Sequence, residues 1–307
     1  MLRGMQTMAQ IRELLQQSGL SPRRMFGQNF LIDLNLMNKL LELADVDPSV
    51  PVLEVGPGTG SLTESLLDLG AKVVAVEIDR GLHELLLQRI GHRPELTLIH
   101  ADALAGKRDI NPAVLHELGP RAQLVANLPY NIATPLVSQC LLDTWQAMHG
   151  QDRLTIFNRL TFTVQLEVAQ RMLAQVGGED YGPVSVITSL MGSITPGPVL
   201  PATAFWPRPK VASRILRIDF DESRATGIKD ATVLSKVLFL AFNQRRKQIG
   251  PILRRRLDGV DPSVIASIMN SAGVEPSQRA QSVTPEKFLT IANSLADLRQ
   301  PPNTSAM

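Results

Sequence analysis

The sequence predicts an α/β domain followed by a smaller helical part, on three observations. Residues 52–55 form a short apolar run that ends at a glycine-rich turn, which is typical of a buried strand entering a tight loop. Leucines then recur at helical spacing from Leu62 until Gly70, and a second apolar run over 72–77 predicts another strand. This order of elements is typical of a nucleotide-binding α/β domain. Beyond residue 230 the pattern is helical throughout.

The glycine loop distinguishes between classes of bound nucleotide. Its glycines are Gly56, Gly58 and Gly60, and Ser61 stands where a dinucleotide-binding loop carries its last glycine. Glu77 follows the loop by about 20 residues, where an acceptor for ribose hydroxyls is expected. The loop looks like the first motif of class I S-adenosylmethionine (SAM) methyltransferases. Together these features favour SAM over a dinucleotide, and an ordinary strand-to-helix turn is the alternative without a ligand.

Composition limits the class of protein. The chain has 307 residues, of which 44% are hydrophobic and 20% are charged, and no apolar run reaches the length of a membrane span. The N-terminal residues lack a signal-peptide core, so we expect a cytoplasmic protein. The single cysteine, Cys140, excludes an intramolecular disulfide and a cysteine-rich zinc site. We expect no metal centre.

Positive charge is concentrated in one stretch of the chain. Between Trp206 and Arg256, thirteen lysines and arginines stand against four acids, although the net charge of the whole chain is only +2. Such asymmetry indicates a polyanionic partner. The alternative is a solvated helical face. The loop over 205–211 combines aromatic and basic side chains, which suit a base and its phosphates.

The other elements are predicted from the same periodicities. Strands are predicted over 97–100, 124–126, 184–194 and 214–218. Helices are predicted over 7–17, 34–43, 82–86, 163–175, 235–242, 252–257, 264–269 and 288–298. Residues 23–33 are predicted to be a loop, residues 219–230 a linker, and residues 300–307 a disordered end.

Two segments follow predicted strands, at the edge of the sheet where open α/β folds bind ligands. Asp102 would accept a hydrogen bond from an adenine amino group or cap a helix, and its spacing leaves both roles open. The segment Asn127–Tyr130 suits transfer to a base amine, whose lone pair is delocalised into the ring. An acceptor on Asn127 and a backbone carbonyl would aim that lone pair at a sulfonium methyl group, and Tyr130 would stack on the base. The alternative is a proline-containing turn.

The ordered set of motifs resembles the ribosomal RNA adenine dimethyltransferase family, from about residue 23 to residue 298. The matching segments are 26–31, 56–60, 77–79, 102, 127–130, 181–182, 205–211 and 242–247. The sequence departs from the family pattern at Leu166, Ala212 and Gly250, which leaves fine substrate contacts open.

The resemblance implies a fold and an activity. The fold is a Rossmann-like class I SAM-dependent methyltransferase domain with a seven-stranded, mostly parallel sheet over 1–218, and a small all-helical RNA-binding domain over 219–307. The activity is SAM-dependent dimethylation of the N6 amines of two adjacent adenosines near the 3′ end of 16S rRNA. The partner is the small ribosomal subunit, which the protein helps to mature, and the protein is expected to act as a monomer.

The resemblance also implies roles for individual residues. The cofactor would contact Asn29, Leu31, Gly56, Gly58, Glu77, Asp102 and Asn127. The target adenosine would contact Asn127, Leu128, Pro129, Tyr130 and Phe205. RNA would contact Arg23, Arg24, Arg208, Lys210, Arg245, Arg246, Lys247, Arg254 and Arg255. Two alternatives stay open: a large-subunit rRNA adenine methyltransferase of the antibiotic-resistance type, and a non-catalytic assembly or transcription factor derived from the family.

Overall fold

The computed structural model describes residues 5–23, 26–106, 108–151, 154–257 and 259–298. Its contacts divide the chain into two compact units. The first unit lies within 1–169 and 193–220, and the second lies within 170–192 and 221–307. None of the helices in the described ranges is long and apolar enough to cross a bilayer.

A seven-stranded sheet forms the centre of the first unit. Its strands are β1 Val52–Val55, β2 Val73–Glu77, β3 Leu96–His100, β4 Arg121–Asn127, β5 Ile156–Gln165, β6 Gly192–Leu200 and β7 Ser213–Phe220. They lie in the order β3-β2-β1-β4-β5-β7-β6. The neighbouring strands β3-β2-β1-β4-β5 all run parallel to one another, whereas β7 runs antiparallel to β5. The predicted seven-stranded, mostly parallel sheet is confirmed.

Helices cover the sheet of the first unit, so that β1 and β2 are buried along their whole length. The helices are α1 Met8–Gln17, α2 Leu34–Ala44, α3 Ser61–Asp68, α4 Arg80–Ile90, α5 Pro112–Leu118, α6 Ala133–Met148 and α7 Leu166–Leu173, the last of which runs into the second unit. Local capping explains where they begin. Asp33 and Asp79 accept backbone N–H groups at the starts of α2 and α4, and Thr7 forms a capping box with Gln10 at the start of α1.

Two predicted loops meet in a short antiparallel ribbon. Phe30 pairs with Trp206 and Leu31 pairs with Phe205, so the segment before α2 is joined to the segment before β7. The Phe30 and Trp206 rings stack with their centroids 6.2 Å apart, and the Arg12 guanidinium lies 5.1 Å from the centre of the Trp206 ring. Local sequence gives no sign of this pairing, because the two segments are far apart in the chain.

The second unit is helical, as the resemblance implies. Its helices are α8 Pro183–Met191, α9 Glu222–Ala225, α10 Ala231–Phe242, α11 Ile249–Arg256, α12 Pro262–Ser271 and α13 Pro285–Asp297. The predicted strand over 184–194 is wrong, because a helix occupies most of it. Pro183 begins this helix, and the backbone N–H of Gly182 donates to the Ser185 hydroxyl. Its β-branched residues suggested a strand, but most of the helix is buried and therefore shows no amphipathic period.

Two further boundaries differ from the expectation. Residues 163–165 continue β5, so the helix predicted over 163–175 begins only at Leu166. The predicted linker over 219–230 contains the end of β7 and the short helix α9. The predicted domain boundary between residues 218 and 219 remains a prediction. Residues 170–192 cluster with the C-terminal helices, so the chain passes from the first unit to the second and back before residue 220. Such an excursion leaves no local signal in the sequence.

Candidate active site

A pocket of the first unit opens where β1, β2 and β4 end. Its walls come from the segment before α2, the glycine loop and the residues that follow β2, β3 and β4. The empty space is about 1080 Å³, counting the part open to solvent. All seven predicted cofactor residues line this pocket, namely Asn29, Leu31, Gly56, Gly58, Glu77, Asp102 and Asn127. Such a position, outside the carboxyl ends of parallel strands, is where open α/β sheets bind ligands.

The glycine loop forms part of the wall in a conformation that side chains disfavour. Gly56 and Gly58 have φ values of +71° and +62°. A Cβ atom at Gly56 would lie 3.2 Å from the Pro129 ring, and one at Gly58 would lie 2.8 Å from the Phe30 ring. The glycines therefore let the loop lie directly against both the predicted catalytic segment and the segment before α2.

Glu77 is fixed under this loop at the end of β2. One carboxylate oxygen accepts the Gly58 N–H at 3.2 Å, and the other accepts the Asp79 N–H at 2.9 Å. The side chain is 4% exposed, and this burial raises the pKa of Glu77 to about 7, although the two backbone hydrogen bonds oppose the rise. The carboxylate is thus held in one position by the loop that it faces.

Glu54 is a second buried acid of the pocket, and the set of site residues predicted from the sequence did not include it. It lies on β1 and is 2% exposed. Burial raises the pKa of Glu54 to about 8, and the charge of Glu77 adds to the rise. Its Oε2 atom has no hydrogen-bond partner among the described residues. The sequence did contain a signal for this residue, because Glu54 is an acid inside an otherwise apolar strand.

The segment Asn127–Tyr130 is held by side chains from neighbouring elements. The Asn127 side-chain N–H donates to the Asn29 carbonyl at 2.9 Å, and the Thr163 hydroxyl donates to the Asn127 Oδ1 atom. The Tyr130 hydroxyl lies 3.1 Å from the Ser213 hydroxyl. All four residues of the segment line the pocket, so the predicted transfer segment and the predicted cofactor residues share one cavity.

The segment before α2 is tied to the start of α4. The Gln28 amide donates to Asp79 at 3.1 Å and accepts the backbone N–H of Arg23 at 2.7 Å. The Arg23 guanidinium lies 3.6 Å from the same Asp79 carboxylate, and its side chain is 52% exposed. Arg23 therefore has a structural contact beside the pocket, in addition to any predicted contact with RNA.

Gln6 supports the glycine loop from the N-terminal segment. Its backbone N–H donates to the Ser61 hydroxyl at 3.0 Å, and its side chain donates to the Thr59 carbonyl at 3.1 Å. In return the Thr59 hydroxyl donates to the Gln6 side chain at 2.7 Å. Sequence reasoning missed this residue, because nothing in its neighbourhood indicates a partner more than fifty residues away.

Asp102 lines the pocket without capping a helix. Its Oδ1 atom accepts the Leu104 N–H at 3.0 Å, and a short strand follows instead of a helix. The N-cap interpretation of Asp102 is therefore wrong, because the side chain closes a local turn. Its contact with an adenine remains a prediction.

Phe205, which was predicted to contact the target base, is a buried residue. The residue is 3% exposed and packs in the hydrophobic core with Leu31 and Ile215. It is not among the residues that line the pocket, and its ring packs in the core instead. The contact of Phe205 with the target base therefore stays a prediction, although its ring is buried in this structure. Phe26, Phe30 and Tyr130 are the aromatic residues that line the pocket among the described residues.

The basic residues predicted to contact RNA that the structure describes are exposed, in both units of the chain. Arg23, Arg208 and Lys210 are exposed in the first unit, and Arg245, Arg246, Lys247, Arg254 and Arg255 are exposed in the second. Arg24 lies outside the described residues. The arginines of α11 stand in its last turn, where positive charge also stabilises a helix.

Arg245 differs from its neighbours because its guanidinium is already engaged. It donates to the Tyr181 carbonyl at 2.9 Å and also to the Glu179 carbonyl. Both partners belong to the same unit as Arg245. Arg245 therefore holds a loop of its own unit, whatever it contributes to RNA binding.

Comparison with known proteins gives matches over nearly the whole chain. The family model described as ribosomal RNA adenine dimethylase matches residues 19–297. A ribosomal RNA small subunit methyltransferase A from Phenylobacterium zucineum is 37% identical over 302 residues, which cover 98% of each chain. The protein of the same name from Shouchella clausii is 34% identical, over 94% of this chain and 95% of the relative.

Two solved structures share the fold. A dimethyladenosine transferase from Plasmodium falciparum superimposes with a TM-score of 0.65 at 21% identity, over 87% of this chain and 98% of that one. The 23S rRNA methyltransferase ErmE superimposes with a TM-score of 0.56 at 25% identity, over 87% of this chain and 100% of that one.

Proposed function

The chain belongs to the ribosomal RNA adenine dimethylase family, and we propose that it converts two adjacent adenosines near the 3′ end of small-subunit rRNA to N6,N6-dimethyladenosine. It is an rRNA adenine dimethyltransferase of the small-subunit type, to which its named relatives belong. One observation supports the proposed reaction most directly: a single pocket is lined both by the glycine loop with Glu77 and by the segment Asn127–Tyr130.

The chemistry of the pocket fits SAM better than a dinucleotide. Two buried carboxyl groups, Glu54 and Glu77, line it, whereas no lysine or arginine does so among the described residues. SAM carries a positive charge at its reacting centre, and a dinucleotide carries negative phosphates. A cation beside these groups favours their ionised form and is attracted to it, whereas phosphates would be repelled by it.

The cofactor residues predicted from the sequence have the following proposed tasks. SAM supplies a methyl group that its sulfonium already activates. Glu77 accepts hydrogen bonds from the ribose hydroxyls, and Asp102 accepts one from the adenine amine. Asn29, Leu31, Gly56 and Gly58 enclose the methionine end.

The transfer itself depends on orientation. Asn127 and a backbone carbonyl beside it hold the N–H bonds of the target amine, so that the nitrogen lone pair points at the methyl group. Tyr130 stacks on the adenine after it leaves its helix, and Leu128 and Pro129 shape the wall. An N–C bond forms while the C–S bond breaks, and the methylated amine releases a proton to solvent. The second methylation repeats these steps.

The RNA partner is the small ribosomal subunit, in whose maturation the protein takes part. Exposed basic residues would contact its phosphates, which makes binding depend on salt. They are Arg208 and Lys210 in the first unit, and Arg246, Lys247, Arg254 and Arg255 in the second. The protein acts in the cytoplasm, as a monomer.

The test is methyl transfer to purified subunits. The full chain is incubated with labelled SAM and small subunits that lack the modification, and the labelled nucleotide is mapped. We expect two labelled adjacent adenosines near the 3′ end. Label in large-subunit RNA would support the antibiotic-resistance type instead, and binding without transfer would support a non-catalytic assembly factor.

A further inference from the structure

We propose that two buried hydroxyl groups, those of Thr163 and Ser213, are positioning groups that hold Asn127 and Tyr130 in the orientation needed for methyl transfer. This inference rests on the proposed function, because it assigns tasks to the residues that support the transfer segment. Neither hydroxyl belongs to a sequence motif of the segment itself.

The register of the sheet brings Thr163 to Asn127. The two residues pair directly at the ends of the parallel strands β4 and β5, so their side chains point to the same face. Thr163 is 1% exposed, and its hydroxyl donates to the Asn127 Oδ1 atom. The backbone reinforces this contact, since the Leu128 N–H donates to the Thr163 carbonyl at 3.3 Å.

The two partners of Asn127 together decide which way its amide faces. The Asn29 carbonyl can only accept, so the nitrogen of the Asn127 amide must face it. The oxygen then faces Thr163, whose hydroxyl must be the donor. One lone pair of Oδ1 is used in this way, and the second is available for an N–H of the target amine. Without the Thr163 hydroxyl, a single hydrogen bond would hold the amide, and its oxygen would lose its fixed direction.

Ser213 has the same relation to Tyr130. Its hydroxyl lies 3.1 Å from the Tyr130 hydroxyl, and the residue is completely buried. Ile215 pairs with Thr163 across β5 and β7, and Ser213 stands two residues before Ile215. Ser213 and Thr163 therefore lie on the same face of the sheet. The hydrogen bond fixes the far end of the Tyr130 side chain, and with it the plane on which a base would stack.

Measurements can distinguish a positioning role of the Thr163 and Ser213 hydroxyls from a purely structural one. Buried hydroxyls need partners, so their loss would lower stability whether or not they guide the reaction. A positioning role also requires that the chemical step slows while SAM and RNA binding stay the same. The hydroxyl, rather than the shape of the side chain, must account for this effect.

The first experiment compares Thr163→Val, which keeps the shape, with Thr163→Ser, which keeps the hydroxyl. Single-turnover transfer is measured at saturating SAM and unmodified small subunits, which separates chemistry from binding. We expect Thr163→Val to be about tenfold slower, a smaller loss than the 10²–10³ of a group that itself contacts the reacting centre. Thr163→Ser should transfer at nearly the wild-type rate. Thermal unfolding and SAM titration are measured on each variant, and Thr163→Ala replaces Thr163→Val if the latter does not fold.

The second experiment is a double-mutant cycle of Ser213→Ala and Tyr130→Phe. If Ser213 acts through the Tyr130 hydroxyl, the double variant should be no slower than the slower single variant. Effects on the rate that multiply independently would overturn this half of the proposal. A wild-type single-turnover rate in Thr163→Val, or an equal loss in Thr163→Val and Thr163→Ser, would overturn the other half.

Failure of the proposed function gives a different result. If the wild-type chain transfers no methyl group to small subunits, the function is wrong, and the positioning of Asn127 is then read by NMR without turnover. We expect the side-chain amide signals of Asn127 to shift and broaden in Thr163→Val but to stay near their wild-type positions in Thr163→Ser. Amide signals unchanged in Thr163→Val would overturn the inference.

Discussion

Glu77→Gln tests the cofactor site by removing one charge with almost no change of shape. In the wild-type protein both carboxylate oxygens already accept backbone N–H groups, from Gly58 and Asp79. A glutamine has one oxygen and a nitrogen that cannot accept, so one of those N–H groups loses its acceptor. Under the proposed function, the ribose hydroxyls of SAM also lose an ionised partner.

The magnitude follows from the lost charge-assisted hydrogen bonds. A hydrogen bond to a charged group contributes about 1.5–3 kcal/mol. Since 1.4 kcal/mol is a factor of about ten in affinity, we expect the Kd for SAM to rise about 10- to 150-fold in Glu77→Gln. The exposed Glu84 of α4 offers a matched control, and Glu84→Gln should bind SAM as the wild type does.

The pH dependence gives a second, independent readout. Burial raises the pKa of Glu77 to about 7, and the proposed hydrogen bonds from the ribose hydroxyls favour its ionised form. Wild-type affinity should therefore rise as pH rises through 7, and at pH 6 it should be about tenfold weaker than its limit. Glu77→Gln should lose the part of this pH dependence that Glu77 causes. Glu54, whose pKa is raised to about 8, also titrates in the pocket, so the same series is measured on Glu54→Gln.

Isothermal titration between pH 5.5 and 7.5, in buffers with different ionisation enthalpies, measures both the affinity and the protons released. We expect the Glu54→Gln variant to release about one proton per SAM bound at pH 6. The reasoning is refuted if Glu77→Gln binds SAM with wild-type affinity and retains the wild-type pH dependence. Thermal unfolding of each variant guards against loss of fold.

Three further predictions concern the reaction, the RNA and stability. Asn127→Ala should slow single-turnover transfer about 10²–10³-fold while RNA binding persists; a rate within a few-fold of wild type contradicts the mechanism. Reversing Arg246 and Lys247 to glutamate should weaken binding to small subunits and reduce its salt dependence, while SAM titration stays unchanged; an unchanged salt slope would make these residues a solvated surface. Glu54 holds its proton more tightly in the folded chain, so stability should fall as pH rises from about 4.5 to about 8. Glu54→Gln should make this fall smaller in thermal unfolding experiments and leave the part that Glu77 causes below about pH 7; an unchanged fall would show that Glu54 does not contribute to it.

The sequence alone determined the features that depend on neighbouring residues. The glycine loop, the acid at the end of the second strand and the segment Asn127–Tyr130 were placed correctly, because strand and helix periods and turn residues act over short distances. The C-terminal helices were predicted for the same reason. Parallel strands put their carboxyl ends at one edge, so the meeting of these segments in one pocket also followed from the order of elements.

The tertiary structure decided the contacts that join distant parts of the chain. Thr163 and Asn127 are 36 residues apart, and Ser213 and Tyr130 are 83 residues apart, so only the strand register brings each pair together. Gln6 likewise contacts the glycine loop from a distant part of the chain, the N-terminal segment. Which aromatic side chains are buried in the core was also decided by the tertiary structure. Phe205, for example, packs in the core with Leu31 and Ile215, and no local pattern of the sequence encodes that packing.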